Sequence, residues 1–404
     1  MNYKFITFSI ALIFTVSFNG QTLEDYIEIA LKNSSEIEVK NYELLLAKEK
    51  VNEVGNIENT QISTGYYIST PETRVGAQSS KFGIQQKFSW FGTLNTEKDV
   101  ENSIAETKQF DVDLSKRDLI YKVKVRYYEL YQKKAIHLIL KENEQILKTY
   151  ESMSLVTLEN NKTPMSDVLR IRIQKNELRS KIFKNSNEDI ALSKNFNRLL
   201  QRKINTQIAV SKSLNASSIL LPKLSLKEHP TIKKIQEFNN VYTKNIALVK
   251  KEKLPKLTVG LDYVLVDKRN DVSIIENGKD ILMPTVALSI PIFSKKHTSK
   301  INQLKIQQKA LISKKEQQQS NLEIALEQAL LDFKNALVTI TAAKKNKTEV
   351  QNAINVDLKA YETGILNYDK ILQLQLQKIK YQLLEIEATK NAFIAKATSE
   401  YLTD

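Results

Sequence analysis

The sequence predicts a mainly α-helical protein with a β part, in which very long antiparallel helices and four short strands form two copies of one unit. Three observations carry this. Glycine and proline together make up sixteen of 404 residues, about 4% where roughly 12% is usual. They are clustered, so breaker-free runs of about 40 to 70 residues alternate with short breaker-rich segments. The chain also matches itself at a nearly constant offset.

The elements follow in order. Met1–Lys4 is a short basic start, Phe5–Phe18 is apolar, and Asn19-Gly20 precedes polar Gln21-Thr22. Residues 1–20 read as a secretory signal peptide, cleaved after Gly20. No cysteine exists to hold an acyl anchor, and no later stretch is apolar for the 18 residues a spanning helix needs. Export argues against nucleic acid as the partner of a chain with net charge +14. Thr22-Leu23-Glu24-Asp25 resembles a capping box, with Asp in place of Glu, at the start of the first mature helix.

Residues 21–203 form the first copy: a helix, a hairpin at about 57–91, a long helix at 93–162 and a helix at 165–203. In Phe82–Trp90, Phe82, Ile84, Gln86, Phe88 and Trp90 alternate with Gly83, Gln85, Lys87 and Ser89. Alternation of period two is the strand signal. The long helix shows Tyr121, Tyr128, Tyr131, Ala135 and Leu138 at helical spacing, a packing stripe. Residues 204–227 link the copies.

Residues 228–404 repeat the plan, with a hairpin at about 256–293 and helices at 295–363 and 366–402. Leu257, Val259, Leu261, Tyr263 and Leu265 form one strand face, and Val286, Leu288, Ile290 and Ile292 another. Leu322, Leu326, Ala329, Leu330, Phe333, Leu337 and Ile340 recur at helical steps. An offset of 195 pairs Ile37 with Ile232, Val54 with Val249 and Gly65 with Gly260; an offset of 202 then pairs Ile84 with Val286, Tyr131 with Phe333 and Asp167 with Asp369. The change falls in the loop between strands, where an insertion is cheapest. Each strand has about the 9 to 11 residues that cross a bilayer when tilted; a small soluble hairpin domain is the plainer alternative.

Several motifs now point one way. Leu23, Tyr26, Ala30 and Asn33, the phrase Phe88-Ser89-Trp90-Phe91-Gly92-Thr93-Leu94, its counterpart Ser289-Ile290-Pro291-Ile292-Phe293, and Tyr361-x-x-Gly364 followed by Asp369 and Ile371-Leu372 occur in a fixed order. Together they resemble the TolC-like outer membrane efflux proteins. Ser35 and Ser89 stand where that family usually has proline, which concerns turns.

The resemblance implies an outer membrane homotrimer. Each chain would give four strands to a shared twelve-stranded β-barrel, continuing into a periplasmic α-barrel of long helices. Phe82, Ile84, Phe88, Trp90, Leu257, Val259, Leu261, Tyr263, Val286, Leu288 and Ile290 would face outer membrane lipid. The turns with Asn161, Thr163, Pro164, Gly364 and Asn367 would be the tips, docking a periplasmic adaptor (membrane fusion) protein and an inner-membrane RND or ABC-type transporter. Asp369 and Asp167, with Leu372 and Gln373 where a further carboxylate can occur, are the aperture candidates. Both aspartates equally suit the first turn of a helix, where a negative charge is stabilising.

The expected function is a passive exit duct for drugs, toxic compounds or metal ions. An exported coiled-coil scaffold or an adaptor is the alternative. No catalytic site, metal site or cofactor is expected: cysteine is absent, and His137, His229 and His297 lie far apart. The charge is left open between acidic lipopolysaccharide and an anionic passage.

Overall fold

The computed structural model describes residues 21–160, 164–219, 225–271, 273–293, 295–362 and 368–403. The signal segment 1–20 and the tip residues Asn161, Thr163, Gly364 and Asn367 lie outside the described residues.

Among the described residues seven α-helices and five strands follow in the order α1 (Leu23–Asn33), α2 (Ser35–Glu53), β1 (Gln61–Tyr66), β2 (Glu72–Thr73), β3 (Gly76–Phe88), α3 (Thr93–Glu159), α4 (Met165–Leu199), α5 (Pro230–Glu252), β4 (Lys256–Val266), β5 (Ile281–Ser289), α6 (Lys295–Glu362) and α7 (Tyr368–Thr403). The breaker-free runs are helices of 67 and 68 residues.

Thr22 caps α1 as its sequence suggests. Its backbone N–H donates to Asp25 Oδ2 at 2.8 Å, and the Asp25 N–H donates to Thr22 Oγ1 at 3.3 Å. The first mature helix is not continuous, however. Ser34 is extended (φ −68°, ψ 111°) and separates α1 from α2. In the second copy α5 starts at Pro230, with His229 Nδ1 accepting from the Thr231 N–H at 3.2 Å. The residue before a proline prefers extended backbone; Ser34 adopts it without the proline.

The chain divides into two compact units that cut across the copies. Among the described residues, those within 21–34, 117–219 and 326–401 form one, and those within 35–116, 225–325 and 402–403 the other. The first is helical. One of its cores gathers Leu140, Leu147, Tyr150, Ile171, Leu178, Tyr361, Tyr368, Ile371 and Leu372. Another sets Phe333, Ala336 and Ile340 against Ala388, Ala392 and Ala395. The tyrosines of the stripe pack as expected, with Tyr128 tilted against Phe393 (5.1 Å) and Tyr121 against Tyr401 (5.2 Å), whereas Leu138 at the end of the stripe is exposed. Burial pushes the Tyr401 hydroxyl up to about 12.

The second unit holds the sheet. Its strand order is β1-β3-β4-β5, all antiparallel, with short β2 paired to β3. The two hairpins are joined through β3 and β4. Strand β3 begins at Gly76, earlier than its alternation suggests, because Gly76–Lys81 is small and polar. Trp90 and Ile290 fall just past the ends of β3 and β5. The Thr93 N–H donates to the Trp90 carbonyl in a turn, and Pro291 has no donor to continue a ladder.

Candidate membrane belt and helical tip

The register aligns one apolar face across four strands. Ile62 opposes Ile84, which opposes Leu261, which opposes Pro284. One step along lie Thr64, Phe82, Tyr263 and Leu282, and towards the other end Phe88, Leu257 and Leu288, with Gln86, Val259 and Val286 between. Ten of the eleven residues named from the sequence are exposed, and Leu257 is half-buried. The face continues through Ile62, which the sequence marks only as part of a weaker strand candidate, and through Leu282 and Pro284, which it does not single out. Gln61–Ser69 lacks clean alternation, and a proline reads poorly as strand.

The opposite face is mainly polar, with Ser63, Lys81, Gln85, Lys87, Thr258, Asp262 and Thr285 alongside Val264, Ile281 and Met283. Asp262 is almost fully buried and pairs with Lys81 at 2.8 Å. Gly83 makes the room: a Cβ there would lie 2.7 Å from Asp262 Oδ1 and 2.8 Å from Ser63 Oγ. Charge is tolerated on this face because it meets charge. At the loop-flanked end of the strands, the Tyr263 hydroxyl donates to Asp280, which also accepts the Val266 N–H at 3.0 Å. The Gly278 N–H donates to the Val75 carbonyl at 2.7 Å and ties the two loops together. At the helix-flanked end, Glu58 pairs with Lys87 (2.8 Å) and Lys256 (3.4 Å), and Lys87 holds its carboxyl below the usual range.

In the helical unit, Pro164 precedes α4 and its carbonyl accepts the Asp167 N–H at 3.1 Å. Asp167 is buried. Asp369, in the first turn of α7, accepts from Arg170 Nη1 at 2.7 Å and from Gln373 Nε2 at 2.8 Å. The structure thus brings Asp369 and Gln373 together. Leu372 is 5% exposed and packs in the core with Tyr150 and Ile171. It is a packing residue of this chain, so the place of a further carboxylate is filled by core. Arg170 was missed, although the offset of 202 that pairs Asp167 with Asp369 sets Arg170 against Leu372.

Ion pairs also bind α3 to α4. Glu151 accepts from Arg172 Nε at 2.7 Å and from Lys175; Glu144 accepts from Arg179 Nε at 2.8 Å and pairs with Lys141 at 3.1 Å. Lys175 and then Arg172 hold the Glu151 carboxyl below the usual range, and Arg179 does so for Glu144. Buried Gln375 Nε2 donates to Asn143 Oδ1 at 2.6 Å and links α7 to α3. Among the described residues no cluster of three or more His, Cys, Asp or Glu could hold a metal ion, and no helix is long and apolar enough to cross a membrane.

Residues 221–398 match the family model described as "Outer membrane efflux protein". A search of curated sequences gives no match. Among solved structures, CusC superposes with TM-score 0.79 at 15% identity, covering 95% of this chain and 92% of that one. CmeC, the outer membrane channel of Campylobacter jejuni, gives 0.75 at 12%, covering 95% and 86%. The open-state MtrE channel of Neisseria gonorrhoeae gives 0.71 at 12%, covering 94% and 89%. At these identities the likeness is one of fold.

The fold is that of outer membrane channels with long helices and a small sheet, and the efflux-protein model matches less than half of the chain. The likeness is to the TolC-like efflux proteins.

Proposed function

We propose that this chain is the exit duct of a tripartite efflux pump, a passive homotrimeric conduit from periplasm to exterior. One observation carries the reading: a four-stranded antiparallel sheet with one apolar and one mainly polar face, and with β1 and β5 as its outer strands. Bilayers accept strands only in a closed barrel, because an open edge leaves backbone groups without partners in lipid. Three copies supply twelve strands, with the Val259 and Val286 face toward lipid and the Asp262 face toward the lumen.

The substrates are small molecules in this reading: drugs, toxic compounds or metal ions. A periplasmic adaptor and an inner-membrane transporter of the RND or ABC type supply energy and selection, docking at the tips around Pro164 and the α6–α7 turn. The α4 and α7 starts then form the aperture, with Asp369 facing it beside Arg170. A coiled-coil scaffold would need no two-faced sheet.

Membrane fractionation with unheated gel electrophoresis tests the reading. A heat-labile trimer in the outer membrane fraction is expected, together with loss of drug, detergent or metal tolerance on deletion. A soluble monomer overturns it.

A further inference from the structure

The excess positive charge is unevenly placed. The strands end in loops on one side and in helices on the other. The connections there (residues 67–75, with short β2, and 267–280) hold four cations, Arg74, Lys268, Arg269 and Lys279, against five carboxylates, Glu72, Asp267, Asp271, Glu276 and Asp280. Several are mutually paired, as Arg269 with Asp271 (2.6 Å) and Lys279 with Glu276 (2.5 Å). This end has little to offer an anionic surface.

The helix-flanked end of the second hairpin is different. Lys250, Lys251 and Lys253 lead into β4 with one carboxylate among them, Glu252, and Lys295, Lys296 and Lys300 follow β5 with none among them. None of the six is ion-paired among the described residues; Lys253 only donates to Thr298 Oγ1 at 3.4 Å. The repeat does not require them, since Thr93 and Leu94 stand at the positions of Lys295 and Lys296. Nor does helix stability: α6 has no acidic residue in its first turn, where cations oppose the helix dipole.

Beside these lysines lie exposed apolar groups, Trp90, Phe91, Ile292 and Phe293, just beyond the apolar strand face. Trp90 and Phe91 meet edge to face at 6.1 Å. The Lys251 ammonium is 3.5 Å from where a Cβ on Gly92 would sit, which places it beside this aromatic turn. Aromatic residues with adjacent lysines, at the end of an apolar belt, match a headgroup layer.

We infer that this collar binds the phosphates of anionic phospholipid in the inner, periplasm-facing leaflet, and that lipopolysaccharide is not the partner of the excess charge. The inference rests on the barrel reading above, which makes the helix-flanked end the periplasmic one.

The test uses the full-length protein purified in neutral detergent. Its unfolding is followed by intrinsic fluorescence during titration with phosphatidylglycerol, phosphatidylcholine or lipopolysaccharide. Phosphatidylglycerol should raise the unfolding midpoint at lower concentration than either of the others. Each lysine near an anionic surface contributes roughly a five-fold factor. Lys251→Gln/Lys295→Gln/Lys296→Gln should therefore weaken the apparent affinity by about 100-fold, while the corresponding arginine variant keeps it. Equal response to phosphatidylcholine, preference for lipopolysaccharide, or an unchanged glutamine variant overturns the inference and leaves the duct standing. A wild-type protein that stays monomeric and soluble without detergent overturns both.

Discussion

Arg170 Nη1 donates to Asp369 Oδ1 at 2.7 Å, joining the beginnings of α4 and α7 across 199 residues of chain. The candidate aperture carboxylate is therefore already partnered by a cation from the other copy, with Gln373 holding its second oxygen.

Opposite signs follow for the two partners in planar-bilayer recordings. At low salt, where exposed charges are least screened, Asp369→Asn leaves the guanidinium unneutralised and moves selectivity toward anions. Arg170→Gln frees the carboxylate and moves it toward cations. Reversal potentials identical to wild type in both variants would remove Asp369 from the aperture.

Acid should loosen the α3–α4 contact. The folded-state values of Glu144 and Glu151 lie below the ordinary one. The stability they give is complete above about pH 4.3, the unfolded value, and is lost as pH falls through the folded values. In Glu144→Gln/Glu151→Gln the unfolding midpoint should be lower at pH 7 and fall less steeply toward pH 3. An acid slope equal to wild type would show that these pairs do not carry it.

Asp189 has the reverse sign. It lines a cavity of about 550 Å³ with Tyr131, His137, Leu138 and Ile190, and its Oδ1 is buried without a hydrogen-bond partner among the described residues. Desolvation raises its carboxyl, partly offset by Lys134, His137 and Lys133. Ionisation is penalised in the fold, so stability is highest below the unfolded value near 3.9 and falls as pH rises through the folded one. Asp189→Asn should stabilise at pH 7 and lose that advantage at pH 3, as read by chemical denaturation.

Val286 lies midway along the apolar face of β5. Arginine at a barrel midplane costs roughly 2–4 kcal/mol, so Val286→Arg should sharply reduce the heat-labile trimer in the outer membrane. Ala287 lies on the other face, and Ala287→Arg should be tolerated far better. Equal yields from both would contradict the assignment of faces.

The helices were legible because a breaker-free run of this length has few other folds, and Thr22 and Pro230 mark starts by local chemistry. The strand faces were legible wherever apolar residues alternate, as in Leu257–Tyr263. Gly76–Lys81 was not, since small polar residues leave no pattern and its strand is fixed by pairing with β1 and β4. The break at Ser34 has no proline to announce it. Arg170 was hidden for another reason. Its partner lies in the other copy, and a one-dimensional pattern cannot show which helices meet. The division into units was invisible for the same reason.

The joining of the copies through β3 and β4 has a consequence for biogenesis. A chain threaded through the export machinery amino-terminus first delivers Phe82 long before Tyr263, its pairing partner. Neither compact unit can close until much of the second copy has emerged. The first half must therefore wait in the periplasm with an apolar strand and an open edge, the condition that invites aggregation. In the proposed duct, a chain truncated after residue 203 would keep that open edge and could not complete its share of the sheet.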